Sequence, residues 1–367
     1  MSRKIGIGIL GCGLMGGIHA ECVARERGAY LVGFQNRTRE KAEALARRFE
    51  GRVYGSVAEA LRDPAVEAVV IASSQQAHAE QAIAACRAGK HVLCEKPLAL
   101  TPREMEAVAR AAARARRVFM VAHQLRFHPV IATVQRARRR LGRSFHLDLE
   151  WGLRIQGAGG RCWEDYRSGG FFMELGCHLA DLARHLMGDV RHVAAGALRL
   201  DRRRVTEDFT HALISFHGGA IGSLVVSANH RTLRQGLLRG RLLGEKGRID
   251  FTVYPYARAF NTATLTLDHG KSLFVPDTTV RPLAFPRPRS LFRVYPGFYD
   301  VYQRQMAAFL DAVRRGTPPP VTLDDGRAAV GIILAAYASQ GAATDRPNLA
   351  RKAPAYRADA ACHPSLA

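Results

Sequence analysis

The sequence predicts an α/β protein. A doubly wound parallel sheet comes first, and a second α/β unit with a large, mostly antiparallel open sheet follows. Two observations carry this. Up to Ala122, short apolar runs alternate with helical segments, and the first run leads directly into Gly11-Cys12-Gly13-Leu14-Met15-Gly16. From Leu125 the pattern changes to longer stretches of period two, separated by turn signals such as His217-Gly218-Gly219.

The elements follow in order. Ile5 to Leu10 is apolar throughout, as a strand covered on both faces must be. Ile18 to Arg27 has helical spacing and Tyr30 to Phe34 is the second strand, so strand, glycine turn, helix and strand close within about 30 residues. Val66 to Ala72 is a strand ending in Ser73-Ser74-Gln75-Gln76-Ala77-His78. Ala77 to Ala88 is a helix that Gly89 stops. His91 to Cys94 is a strand carrying Glu95-Lys96-Pro97 at its carboxyl end. Thr101-Pro102 opens a helix to about Arg116, and Val118 to Ala122 is a further strand. Beyond it, His128-Pro129 starts a helix that Gly142 ends. Strands are expected at Ser144 to Trp151, His192 to Leu200, Phe209 to Phe216, Ile221 to Ala228, Leu237 to Leu243 and Ala263 to Leu267. Residues 276 to 296 read as a long loop. Helices are expected from Tyr299 to Arg314 and from Asp324 to about Gly341, and the tail from Thr344 as poorly ordered. The domain boundaries expected are 1–123, 124–345 and a tail of 346–367.

Composition bounds the function. The chain has 367 residues, 47% of them hydrophobic, which suffices for two cores. No apolar run reaches the ~18 residues of a membrane span, and the N-terminus lacks a cleavage signal, so a cytoplasmic location is expected. The seven cysteines are scattered with no Cys-x-x-Cys pair, which argues against a disulfide framework and structural zinc. The histidines form no metal-ligand cluster, and no metal is expected. The formal charge of +22 comes almost wholly from arginine, since seven of the 54 basic residues are lysine. These arginines are dispersed, and the densest run, Arg136 to Arg140, falls at a helix end. Neither nucleic acid nor membrane is expected as partner, whereas an anionic small molecule suits the field.

Three segments carry chemistry. The glycine turn suits a dinucleotide: Gly11 permits the tight turn, Gly13 admits a pyrophosphate, and Gly16 lets the helix sit close. The second strand ends in Asn36-Arg37-Thr38, where a carboxylate would otherwise hold the ribose 2′-OH. Arg37 and Thr38 suit a 2′-phosphate, so NADP(H) is expected over NAD(H). Further on, Gly169-Gly170 precedes a helix whose Glu174, His178 and Asp181 stand at i, i+4 and i+7 on one face. Oxidising a secondary alcohol needs a base for the hydroxyl proton, and histidine suits that work. His178 is the candidate acid/base, Glu174 its orienting partner, and Lys96 the cation that stabilises alkoxide charge. Glu95 and Pro97 would set the lysine's direction. Arg126, His123, Trp163, Tyr166 and Asp181 are candidates to line a substrate pocket.

Gly89-Lys90-His91-Val92-Leu93-Cys94-Glu95-Lys96-Pro97, the Gly-Gly-x5-Gly-x-His-x-x-Asp segment ending at Asp181, and Gln124 to Pro129 together resemble the Gfo/Idh/MocA oxidoreductase family. Ala77-His78 and Pro320 to Gly326 fit as well, and the resemblance runs from Ile5 to about Gln340. It implies an N-terminal Rossmann domain, a C-terminal α/β domain for substrate binding and oligomerisation, and a bound nicotinamide cofactor. Cofactor contacts are implied at Gly11, Gly13, Leu14, Met15, Gly16, Asn36, Arg37, Thr38, Ser73, Ser74, His78, Glu95, Lys96 and Pro97. A homo-oligomer, dimer or tetramer, is implied. Two positions depart from the pattern: Glu174 stands where the family usually has Asp, and Ser73-Ser74 where it more often has Thr-Pro.

The expected activity is therefore interconversion of a secondary alcohol and a ketone on a sugar, cyclitol or nucleotide sugar. The alternatives are reduction of a C=N or C=C bond, or a non-catalytic cofactor-sensing regulator on the same scaffold. Presence of both Lys96 and His178 favours the first.

Overall fold

The computed structural model describes residues 3–153, 168–228, 236–253, 261–267, 272–276 and 296–340. Six parallel strands form the first sheet in the order β3-β2-β1-β4-β5-β6: β1 (Ile5–Leu10), β2 (Ala29–Gln35), β3 (Arg52–Tyr54), β4 (Ala68–Ile71), β5 (His91–Cys94) and β6 (Phe119–Val121). Every residue of β1 and β4 is buried, because helices cover both faces. These helices are α1 (Leu14–Arg25), α2 (Arg39–Phe49), α3 (Val57–Arg62), α4 (Gln75–Arg87) and α5 (Pro102–Ala115). The strand order reverses between β1 and β4, where the chain crosses the sheet. At that switch the carboxyl ends leave a crevice. The turn after β1, the Ser73 loop after β4 and Glu95-Lys96-Pro97 after β5 all open onto that edge.

Thr101 opens α5 with a capping box: its hydroxyl accepts from the Glu104 N–H, and the Glu104 carboxylate accepts from the Thr101 N–H. The spacing missed β3, α2 and α3. Only Ala42 and Ala46 are buried on α2, so its apolar stripe is too thin to register as periodicity.

Among the described residues, the second sheet has eight strands, ordered β14-β13-β12-β11-β7-β10-β9-β8. They are β7 (Ser144–Gly152), β8 (Val190–Leu198), β9 (Phe209–Phe216), β10 (Ile221–Ser227), β11 (Leu237–Gly244), β12 (Gly247–Val253), β13 (Thr262–Leu267) and β14 (Ser272–Pro276). All pairs are antiparallel except β10 with β7. Leu147, Leu149 and Trp151 of β7, with Leu224 and Val226 of β10, point to the core. Leu213 and Ile221 on the opposite face are 60% exposed. β12 and β14 were not anticipated, although Glu245-Lys246-Gly247 reads as a turn and does join β11 to β12.

Helices α6 (Pro129–Ala137), α7 (Cys177–Met187) and α9 (Leu323–Ser339) lie against the buried face. The remaining helix, α8 (Pro296–Arg315), returns to the first domain. Gln303 Nε2 donates to the Cys22 carbonyl at 3.2 Å and to Glu26 Oε1 at 2.6 Å, both at α1 or its end. The Tyr302 ring meets His19 edge-on at 5.7 Å. Most of the expected 276–296 loop and the tail from Thr344 lie outside the described residues.

Candidate active site

The glycine turn builds a cradle. Gly11 has φ +99°, and a Cβ on Gly16 would stand 1.9 Å from the Gly11 carbonyl oxygen, so α1 starts directly over the turn. Gly13 is the opposite case: a Cβ there would meet nothing within 4 Å. It is also the N-cap of α1, and no side chain caps this end. The first N–H groups of α1 thus face open space, the arrangement an anion requires. Asn36 locks the turn to the end of β2, since its Oδ1 accepts from Cys12 N at 2.9 Å and its Nδ2 donates to Thr38 O at 2.9 Å. Arg37 and Thr38 are exposed at that end, as is Leu14, while Met15 is partly buried.

Glu95-Lys96-Pro97 is fixed from behind. The Lys96–Pro97 peptide is cis. His78 of α4 has Nδ1 2.8 Å from the Pro97 carbonyl oxygen, and burial lowers its pKa. The Glu95 carboxylate is buried and contacts His19 Nε2 at 2.7 Å. Burial alone would raise its pKa, but the His19 hydrogen bond and the charges around it bring the net shift down. Ser73 Oγ donates to Gln81 Oε1 at 2.9 Å, and Ser74 N-caps α4 without a side-chain bond. Glu95, Pro97 and His78 therefore form the mount on which Lys96 projects.

Lys96 Nζ lies 2.6 Å from Glu174 Oε1 and donates to the Glu174 carbonyl at 3.1 Å. Burial alone would push this ammonium down, but the Glu174 carboxylate and other nearby groups more than offset it, and its pKa is raised. Lys96 stays charged throughout the neutral range. Gln75, the first residue of α4, donates from Nε2 to the other Glu174 oxygen. This corrects the expectation that Glu174 orients His178. Phe172–Gly176 is a π-helical turn, and its longer repeat breaks the i, i+4 alignment that a regular helix would give. The carboxylate is thereby aimed across the domain boundary at Lys96 and Gln75. Upstream, Gly169 (φ +92°) and Gly170 (φ +84°) start this turn. The buried Glu207 accepts from Phe172 N at 3.0 Å and from Tyr337 Oη at 2.5 Å, anchoring it.

His178 is 3% exposed, and its ring lies 5.2 Å from that of Trp151 and 6.2 Å from that of His123. Burial, then the Lys96 and His123 charges, hold its pKa well below the ordinary histidine range. It is a neutral imidazole at neutral pH, with Nδ1 buried and, among the described residues, unpartnered. Burial likewise lowers His123, whose Nδ1 is also orphaned.

Arg126 and Asp181, both expected at the substrate pocket, form an ion pair. Arg126 Nε and Nη2 donate to the two Asp181 oxygens at 2.9 and 2.6 Å, and Nη2 lies 3.0 Å from Asp325 Oδ1. Arg184 joins the same Asp325 oxygen at 3.1 Å. These charges hold one another and tie α7 to α9. Trp163 and Tyr166 lie outside the described residues. Among the described residues, no group of three His, Cys, Asp or Glu side chains is arranged to hold a metal ion.

Residues 5–123 match the family model of an oxidoreductase family with an NAD-binding Rossmann fold, and residues 153–345 match that family's C-terminal alpha/beta domain. The chain belongs to the Gfo/Idh/MocA oxidoreductase family. As such it is an NAD(P)-dependent oxidoreductase. It is 28% identical over 355 residues to myo-inositol 2-dehydrogenase of Thermotoga maritima, covering 91% of this chain and 95% of that one. It is 27% identical to the NAD(+) scyllo-inositol 2-dehydrogenase of Bacillus subtilis, covering 88% and 90%. GenD2 from gentamicin A biosynthesis, solved with NAD, superposes with a TM-score of 0.76 at 26% identity, over 93% and 95% of the chains. Levoglucosan dehydrogenase, solved with NADH and levoglucosan, shares the fold with a TM-score of 0.79 at 23% identity, over 92% and 97%.

The open Gly13 position and the uncapped α1 end fit the dinucleotide of this family. Sequence reasoning missed Gln75, His19 and Trp151. Gln75 was signalled only by its place at a strand's carboxyl edge, and the other two by nothing but burial. Among the described residues, no helix is long and apolar enough to cross a membrane.

Proposed function

We propose that the chain interconverts a secondary alcohol and a ketone on a sugar, cyclitol or nucleotide sugar. The observation that carries this is the charged Lys96 held by Glu174 beside the neutral, buried His178. A bound nicotinamide would accept or return the hydride. In the oxidative direction His178 accepts the hydroxyl proton, which its unprotonated state permits. A buried imidazole is a weak base, so the transfer needs help. Lys96 supplies it by stabilising negative charge as it grows on the alcohol oxygen. Glu174 and Gln75 position the ammonium. A C=N or C=C reductase has no alcohol proton to remove, so the neutral His178 favours the alcohol reading. The likeness to inositol dehydrogenases supports a cyclitol or sugar substrate. An anionic substrate remains compatible with the basic surface.

For the cofactor we propose NADP(H) over NAD(H). No carboxylate stands at the end of β2, Asn36 is engaged in the turn, and Arg37 is exposed there. Exposed Leu213 and Ile221 on neighbouring strands of the open sheet support a homo-oligomer, checked by light scattering. We place the protein in the cytoplasm.

The test is a panel of sugars, cyclitols and their keto forms with each dinucleotide, read by nicotinamide absorbance. Lys96→Ala and His178→Ala should each lower turnover about a hundredfold or more while dinucleotide still binds. Near-normal turnover in both would overturn the assignment. Arg37→Asp should move preference toward NAD(H), and unchanged selectivity would refute the cofactor reading.

A further inference from the structure

The arginine run after α6 does not simply face water. α6 ends at Ala137, and the chain tightens into a 3-10 turn, Arg138–Leu141, closed by Gly142 at φ +69°. Arg138, Arg139 and Arg143 come to line a hollow of about 300 Å³ with Ser144, Met187 and Gly218. Among the described residues, two donors on its lining are buried without a partner: Arg138 Nε and Ser144 Oγ. Buried polar groups are nearly always satisfied, so the Arg138 N–H calls for an acceptor here, and the Ser144 hydroxyl can donate to the same one.

The charge balance points the same way. Arg143 has a carboxylate beside it, with Nε 3.3 Å from Glu245 Oε1. Among the described residues neither Arg138 nor Arg139 has an ion pair. Three arginines thus line the hollow, and a single carboxylate, Glu245, is paired with one of them. The partial negative charge at the C-terminal end of α7, near Met187, is too small to cancel the remainder. Guanidinium forks match the oxygens of a tetrahedral anion, and the volume lies at the small end of ligand sites. The hollow is separate from the hydride site. Met187 and His178 lie at opposite ends of α7, about 14 Å apart along the helix.

We infer that this hollow is an anion site for a phosphate group, either free or carried on a small metabolite. The inference does not rest on the proposed alcohol chemistry. Thermal unfolding and calorimetry of the full chain would test it, with saturating dinucleotide present to occupy the cofactor cradle. The probes are inorganic phosphate, glucose 6-phosphate and chloride at matched ionic strength. Phosphate or glucose 6-phosphate should stabilise the protein saturably beyond chloride, and tighter binding of the sugar phosphate identifies a metabolite-borne group. Arg138→Met and Arg139→Met should each weaken that binding about tenfold to a hundredfold. The pair Arg47→Met and Arg62→Met, exposed on α2 and α3, should not. If Arg138→Met fails to fold, the exposed Arg139 carries the comparison. Stabilisation equal to chloride's, a response that never saturates, or binding unchanged in the Arg138 and Arg139 variants would overturn the site.

Discussion

Replacing Glu174 with Gln keeps the size of the side chain and removes its charge. At 2.6 Å, and an effective dielectric of about 20, the Lys96–Glu174 attraction is about 6 kcal/mol. One pKa unit corresponds to about 1.4 kcal/mol, so even a quarter of that attraction is worth a full unit. Burial is the largest influence on Lys96 and favours the neutral amine. In Glu174→Gln it acts without the carboxylate that opposes it, and the ammonium pKa falls. The sign follows from linkage. The raised pKa of the wild type gives stability present below the ordinary lysine value and lost only as pH rises through the raised one. The variant loses that margin. The assay is kcat/KM against pH from neutral to alkaline, with melting temperature measured alongside. The alkaline limb should move down by at least about one pH unit, and Glu174→Asp, which keeps the charge, should restore much of it. A limb that stays in place in a folded Glu174→Gln protein would refute the idea that this carboxylate holds the lysine charged.

Gly13→Val should weaken dinucleotide affinity with little change in melting temperature, because its Cβ enters open space; Gly16→Ala should destabilise the fold by meeting the Gly11 carbonyl. Equal melting losses in the two would contradict that division. Burial lowers His78, His123, His128 and His178, with His128 held at about 4. Below the ordinary histidine pKa the unfolded chain takes up protons that the folded one refuses, so stability falls as pH drops. The His128 shift alone corresponds to about 3 kcal/mol once pH lies below both values. A melting temperature constant between about pH 7 and about pH 5 would show that these imidazoles protonate inside the fold.

The local signals that read correctly each had a mechanism confined to a few residues. The glycine turn and the Thr101-Pro102 start are of this kind, since close approach and N–H capping need no distant partner. α2 failed because a helix that buries two alanines hardly differs from a polar segment. Glu174 failed for another reason: a π turn depends on the anchoring of Phe172 N by Glu207 and of Met173 N by Tyr337, 35 and 164 residues away along the chain. Arg126 was legible as a special residue, but its two carboxylate partners were not, because both come from distant helices.

Tyr302 and Gln303 bring the late helix α8 against α1, whose first turn forms the cradle. The chain is therefore not a string of two detachable parts. A fragment stopped at residue 123 would leave bare the flank of α1 that α8 shields. Chimaeras that exchange cofactor specificity between relatives should accordingly carry α8 along with the first 123 residues, or graft only the loop at Asn36-Arg37-Thr38.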